Sequence, residues 1–145
     1  MKDKDIYDTI YELLEMLIPD LHSLKPADAR VSRSENFMDL HLDVLSRTDT
    51  ELRIALHHSF ELNGDLVPDP DMTVRIYLLE GWKKAEALSY QDQFCYREVY
   101  PAPNLVNVQA KKELNQFLVR WLKNCVDQGH SLKQGADTLR VLWKV

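Results

Sequence analysis

Met38-Asp39-Leu40-His41-Leu42-Asp43-Val44 alternates apolar and polar residues without a break, and this stretch decides the fold. A β-strand sends successive side chains to opposite faces, so such alternation means a strand with one buried and one wet face. The parity returns twice. Leu52, Ile54, Leu56, Phe60 and Leu62 alternate with Arg53, His57 and Glu61, and Met72, Val74, Ile76 and Leu78 with Thr73, Arg75 and Tyr77. Neighbouring runs of this kind predict an antiparallel meander.

Residues 37–46 and 51–62 form the first predicted hairpin around Thr48-Asp49-Thr50. Keeping both apolar sets on one face leaves two registers. One puts His41 opposite His57 and Arg47 opposite Glu51, an attractive cross-strand pair; the other puts Asp39 opposite His57. Asn63-Gly64-Asp65 and Pro68-Asp69-Pro70 then predict an irregular connection. Further strands are expected over 71–79, 82–90 and 94–99, with a turn at Glu80-Gly81 and a stop at Pro101 and Pro103.

Helices are expected on both sides of the sheet in sequence. Ile6, Ile10, Leu13, Leu14 and Leu17 make one stripe over residues 3–18, with Asp3, Asp5 and Asp8 at the end where the helix dipole prefers acids. Pro19 ends this helix, and a short turn through Leu21 and Leu24 runs to Pro26. Leu114, Phe117, Leu118, Trp121, Leu122 and Cys125 form the strongest stripe, closed by Gly129. The tail from Leu132 to Val145 is open: Leu139, Val141 and Trp143 alternate as in a strand, while Gly135 to Trp143 also suits a short helix. The expected fold is α+β: an antiparallel meander of roughly four to six strands, with the N- and C-terminal helices on one face. Trp121, Phe117, Leu14 and Leu17 should meet the Met38, Leu56 and Ile76 face.

Composition limits the function classes. A chain of 145 residues is expected to form one domain, spanning 1–145. No apolar run reaches the roughly 18–20 residues of a membrane span, and the acidic start lacks the apolar core of a signal peptide, so a cytoplasmic location is expected. Residues 1–73 carry 7 Lys/Arg against 16 Asp/Glu, a net of −9, and residues 74–145 carry 11 against 7, a net of +4, within a total of −5. An acidic chain without a Lys/Arg cluster is a poor duplex-binding candidate, although the asymmetry allows a polarised surface. Cys95 and Cys125 match neither a metal set nor a redox pair, and Cys125 continues a helical core stripe.

Candidate sites are few. In the first hairpin register His41 and His57 lie across a strand pair with Asp39 and Asp43 on the same face, a donor set of the right chemistry for a divalent metal. His58 falls in the buried parity and reads as a hydrogen-bonded core histidine. Arg53, Arg75, Tyr77 and Lys84, on the wet face with His57, suggest a recognition surface, though Asp39, Asp43, Glu61 and Glu86 mix its charge and favour a protein partner over a phosphate backbone. Nucleophile elbow, P-loop and dinucleotide fingerprint are all missing from the sequence. The leading expectation is a binding or accessory module without chemistry or cofactor of its own, taking a protein partner or a small-molecule ligand. The alternatives are a metal-dependent hydrolase using His41, His57, Asp39 and Asp43, and a weak single-strand nucleic-acid binder. An exposed edge strand would offer a route to a homodimer.

Met72-Thr-Val-Arg-Ile-Tyr77, Tyr100-Pro101-Ala-Pro103 and Leu114-Asn115-Gln116-Phe117-Leu118 with Trp121-Leu122 and Cys125 form a recognisable set, preceded by Leu21-x-x-Leu24-x-Pro26. Together they resemble the YqiB-like proteins, a bacterial family of unknown function, best over residues 70–129. Where that family carries an Arg-Asp-Glu-Lys run before its last helix, this chain reads Val108-Gln109-Ala110-Lys111 and matches only at Lys111. The resemblance implies no activity. Asn115, beside the helical stripe, is expected to hydrogen-bond the backbone of the proline loop.

Overall fold

A computed structural model of the protein describes residues 4–134, the side chains of Glu61, Leu66 and Pro68 excepted. The readings of Gly135 to Trp143 lie outside the described residues. Nine elements follow in order: α1 (Ile6–Leu17), a 3-10 turn (Leu21–Ser23), β1 (Ala29–Ser32), β2 (Leu40–Arg47), β3 (Glu51–Leu62), β4 (Asp65–Tyr77), β5 (Ala85–Gln91), β6 (Tyr96–Glu98) and α2 (Val108–Asp127). The six strands form one antiparallel sheet in sequence order, β1-β2-β3-β4-β5-β6. Both helices pack on its apolar face and against each other, which is the expected α+β arrangement. Among the described residues, no helix is long and apolar enough to cross a membrane.

Local chemistry sets the helix ends. Asp5 caps α1: the Asp8 amide donates to Asp5 Oδ1 at 2.9 Å and the Asp5 amide donates to Asp8 Oδ2 at 3.0 Å, a reciprocal box that satisfies two orphan donors. Asn107 caps α2 by accepting from the Ala110 amide at 3.0 Å. Gly129, at φ +83°, closes α2, with the His130 amide donating to the Cys125 carbonyl and the Gly129 amide to the Val126 carbonyl. The segment beyond is tied down: the Leu132 amide donates to the Leu17 carbonyl and Arg30 donates to the Leu132 carbonyl.

The β2–β3 pairing follows the first of the two registers, running from Leu40↔His58 through His41↔His57 to Val44↔Ile54. A bulge at Leu45 then shifts the ladder by one, so Arg47 faces Leu52 and not Glu51, correcting the expected ion pair. Arg47 instead donates to the carbonyls of His22 and Leu24. Two further corrections concern strand extents. β1 had no alternation to announce it. The connection expected to be irregular from Asn63 is a two-residue turn, with Asn63 at φ 52° and Gly64 at φ 87°, and β4 begins at Asp65. Two successive positive-φ residues match the twist of a tight hairpin.

Leu40, Leu42 and Val44, Leu52, Ile54 and Leu56, and Met72, Val74 and Ile76 are all buried against Leu14, Leu17, Leu118 and Leu122. Met38, expected in this core, is 45% exposed because β2 starts only at Leu40. Phe117 is partly buried, its ring edge-on to Tyr90. His58 is buried, with Nδ1 at 3.0 Å from the Asp39 carbonyl and its ring 5.3 Å from that of Trp121, as its parity indicated. Cys95 is exposed and Cys125 buried, both as free thiols. Asn115 is also buried, but its amide does not reach the proline loop. Its Oδ1 accepts from the Ala87 amide at 2.8 Å and its Nδ2 donates to the Lys111 carbonyl at 2.7 Å. β6 is too short to pair with the first half of β5, and Asn115 satisfies a donor that this open edge would leave orphaned.

Candidate functional site

The open half of β5 is where polar side chains gather. Ala85 and Ala87 point into the core, so Glu86 between them points to the opposite face, while Lys84, just before the strand, reaches Asp5 and Asp8 at the start of α1. Arg75 on β4 is the direct cross-strand partner of Glu86, and Tyr77 lies two residues further along the same face. β6 is continued by one bond, from the Val99 amide to the Leu88 carbonyl, after which the chain turns and brings Tyr100 over Glu86. Tyr7 of α1 and Lys111 in the first turn of α2 complete the group.

Four donated hydrogen bonds converge on the Glu86 carboxylate. Oε1 accepts from Arg75 Nε at 3.1 Å, Arg75 Nη2 at 2.5 Å and Tyr77 Oη at 2.8 Å, and Oε2 accepts from Tyr100 Oη at 2.8 Å. Glu86 is only 3% exposed, so the wet-face carboxylate of the sequence reading is a buried one. Burial by itself would raise its pKa, but the bonds from Arg75, Tyr77 and Tyr100 outweigh that and hold the carboxyl below the usual glutamate range. Burial, reinforced by the bond to Glu86, pushes both tyrosine hydroxyls up to about 12. The tyrosines are therefore fixed donors, and a carboxyl held below the usual glutamate range by four donated bonds is a weak base at neutral pH.

Cations sit on the ring faces. The Arg75 guanidinium carbon lies 5.5 Å from the Tyr77 ring centre and 5.3 Å from that of Tyr100. Lys111 Nζ lies 5.7 Å from the Tyr7 ring and 5.6 Å from the Tyr100 ring, and donates to Tyr100 Oη at 3.2 Å. Lys84 Nζ is 5.3 Å from the Trp82 ring and donates to Asp5 at 2.7 Å and Asp8 at 2.8 Å. Two clefts share Tyr100. One, of about 280 Å³, is walled by Tyr7, Tyr77, Trp82 and Tyr100 with Lys84, Glu86 and Lys111. The other, of about 570 Å³, runs over the outer sheet face between Arg53, Arg75, Tyr96 and the Tyr100–Pro103 loop.

Three of the four residues proposed for surface recognition, Arg75, Tyr77 and Lys84, thus meet at one site. Arg53 lines the outer cleft only and is held by Glu51 at 3.2 Å. Glu86 enters the sequence analysis only as a charge on the wet face, Tyr100 and Lys111 only as motif positions, and Tyr7 and Trp82 not as site residues at all. A charged residue flanked by two inward alanines, and a Tyr-Pro-x-Pro ending beside it, were the available signals.

The histidine face is organised differently. His41 and His57 stack face to face, with ring centres 4.7 Å apart and planes 1° apart. Ser59 Oγ lies 3.1 Å from His41 Nε2, His57 Nε2 lies 3.5 Å from Asp43, and Asp39 is held by Arg33 at 2.8 Å. Burial, and then the adjoining His57, push the His41 pKa down. Among the described residues, no group of three or more His, Cys, Asp or Glu is arranged to hold a metal ion.

Fold and site together define a two-helix, six-strand α+β domain whose most built feature is a buried carboxylate between two clefts. The chain belongs to the family described as Protein of unknown function (DUF1249), whose model matches residues 13–131. That span takes in α1 from Leu13 and every strand as well as α2, wider than the motif likeness over 70–129. No curated protein and no solved structure matches the chain.

Proposed function

We propose that this protein is a small-molecule binding module of the YqiB-like kind, with the cleft between Tyr7, Tyr77, Trp82 and Tyr100 as its ligand site and no acid–base chemistry of its own. One observation carries the reading: four donors converge on buried Glu86 and lock the two tyrosine rings that wall the cleft. Rigid aromatic walls cost a ligand little ordering entropy on binding, which is how a pre-formed site gains affinity. The lowered Glu86 pKa, which makes the carboxylate a weak base, and tyrosine hydroxyls that stay protonated at neutral pH support binding over catalysis.

Trp82 gives the test a reporter. A set of single-ring aromatic compounds titrated against untagged protein should shift the Trp82 indole N–H resonance, assigned by its loss in Trp82→Phe, and Tyr7→Ala should abolish that shift. Shifts scattered over the surface with Trp82 unmoved would remove the cleft as the ligand site.

A second reading, docking of a protein partner, draws support from Phe94. It is 90% exposed at the tip of the β5–β6 hairpin, where an isolated fold gains nothing from a large apolar side chain. A photo-reactive residue placed at position 94 should cross-link one discrete partner in cells. A diffuse smear would count against it.

A further inference from the structure

We infer that the aromatic-walled cleft takes a small planar anion, a single aromatic ring carrying one carboxylate, with Lys111 as its counter-ion; this rests on the cleft being the ligand site. The basis is which charges in the cleft are already matched. Glu86 is matched by Arg75 at 2.5 Å. Lys84 is matched by Asp5 and Asp8, at 2.7 and 2.8 Å. Those two acids also cap α1, so the positive end of that helix takes up the second negative charge. Lys111 stands apart. Among the described residues no carboxylate lies within 4.0 Å of its ammonium, and Tyr100 Oη is its one hydrogen-bond acceptor.

The placement of Lys111 sharpens this. It sits in the first turn of α2, which contains no acidic residue, so the helix dipole and the ammonium add in sign where α1 has them opposed. An anion in the cleft relieves that repulsion. A cation does not, even though aromatic walls often hold cations, because Arg75, Lys84 and Lys111 already occupy the ring faces. At about 280 Å³ the cleft lies at the small end of ligand sites, which limits the occupant to one or two rings.

Benzoate, benzamide and benzylamine share a ring and differ in charge, and they serve as the probes on the full chain. Binding is read from the Trp82 indole resonance. Benzoate should bind at least ten-fold tighter than benzamide, and benzylamine weakest. Lys111→Met should bring benzoate down to the level of benzamide in the same variant, and amide resonances away from the cleft at their wild-type positions report an intact fold. Equal binding of benzoate and benzamide, a preference for benzylamine, or benzoate binding unaltered in Lys111→Met would each overturn the anion inference while leaving the cleft as a ligand site. No Trp82 shift with any probe would overturn both.

Discussion

At the scale of single residues, Glu86 has the most at stake. A buried carboxylate costs several kcal/mol in desolvation, and it is tolerated here because a guanidinium and two phenols meet it. Glu86→Gln removes the charge and leaves Arg75 facing an amide. The loss should be on the order of 2–3 kcal/mol, below the roughly 3–5 of a fully buried pair, because the Arg75 side chain keeps 20% of its exposure and has Glu51 at 3.8 Å. Urea denaturation measures it, and a midpoint equal to that of the wild type would show that the network is not holding the strand end. Asn115 carries a smaller, separable role. Asn115→Ala leaves the Ala87 amide without an acceptor inside the protein and should cost about 1–3 kcal/mol; Asn115→Asp should be no better, because it keeps that acceptor but sets a buried carboxylate against the Lys111 carbonyl. A variant as stable as wild type would mean that the edge finds another partner.

At the scale of elements, the alternation of β2, β3 and β4 and the stripes of α1 and α2 were legible because each repeats one periodicity over several turns or residues. Trp121 shows what such a stripe contributes. It is 6% exposed and touches His58, and Trp121→Ala should cost about 3–5 kcal/mol, read as a large fall in melting temperature with cooperativity retained or lost. Normal melting at the wild-type temperature would sink the packing of α2 on the sheet. Bulges were not legible. Nothing in Val44-Leu45-Ser46 distinguishes a regular strand from one that skips a residue, so the alternation leaves two registers open and neither contains the shift that takes Arg47 away from Glu51. β1 was missed for a related reason. Four residues at a sheet edge, mostly half-exposed, carry too little alternation to stand out.

At the scale of the whole molecule, three histidines give a pH dependence. Burial lowers the folded-state pKa of His41, His58 and His130 below the ordinary 6.5. Below the ordinary histidine value of 6.5 the unfolded chain therefore takes up protons that the folded chain refuses, so stability falls as pH drops through that value. His58→Gln should flatten that slope in a series of melting curves, and a slope unchanged by the substitution would place its origin elsewhere. A second loss should follow as pH falls below the ordinary glutamate value of 4.5, because the folded-state pKa of Glu86 is depressed and its stabilisation goes as it protonates.

By itself the sequence determined the fold class, the order of helix, meander and helix, and the core parity, because these depend on periodicities of 2 and 3.6 that a chain displays along its own length. Only the tertiary structure decided where the candidate site lies. Tyr7, Tyr77, Glu86, Tyr100 and Lys111 come from two helices, two strands and a loop, and no local pattern links them. Their meeting depends on a short last strand that leaves half of β5 open and on a chain reversal that carries Tyr100 back over it. Burial then turned an ordinary surface glutamate into the centre of a network, since the strength of a charge's interactions is set by how much water its neighbours exclude.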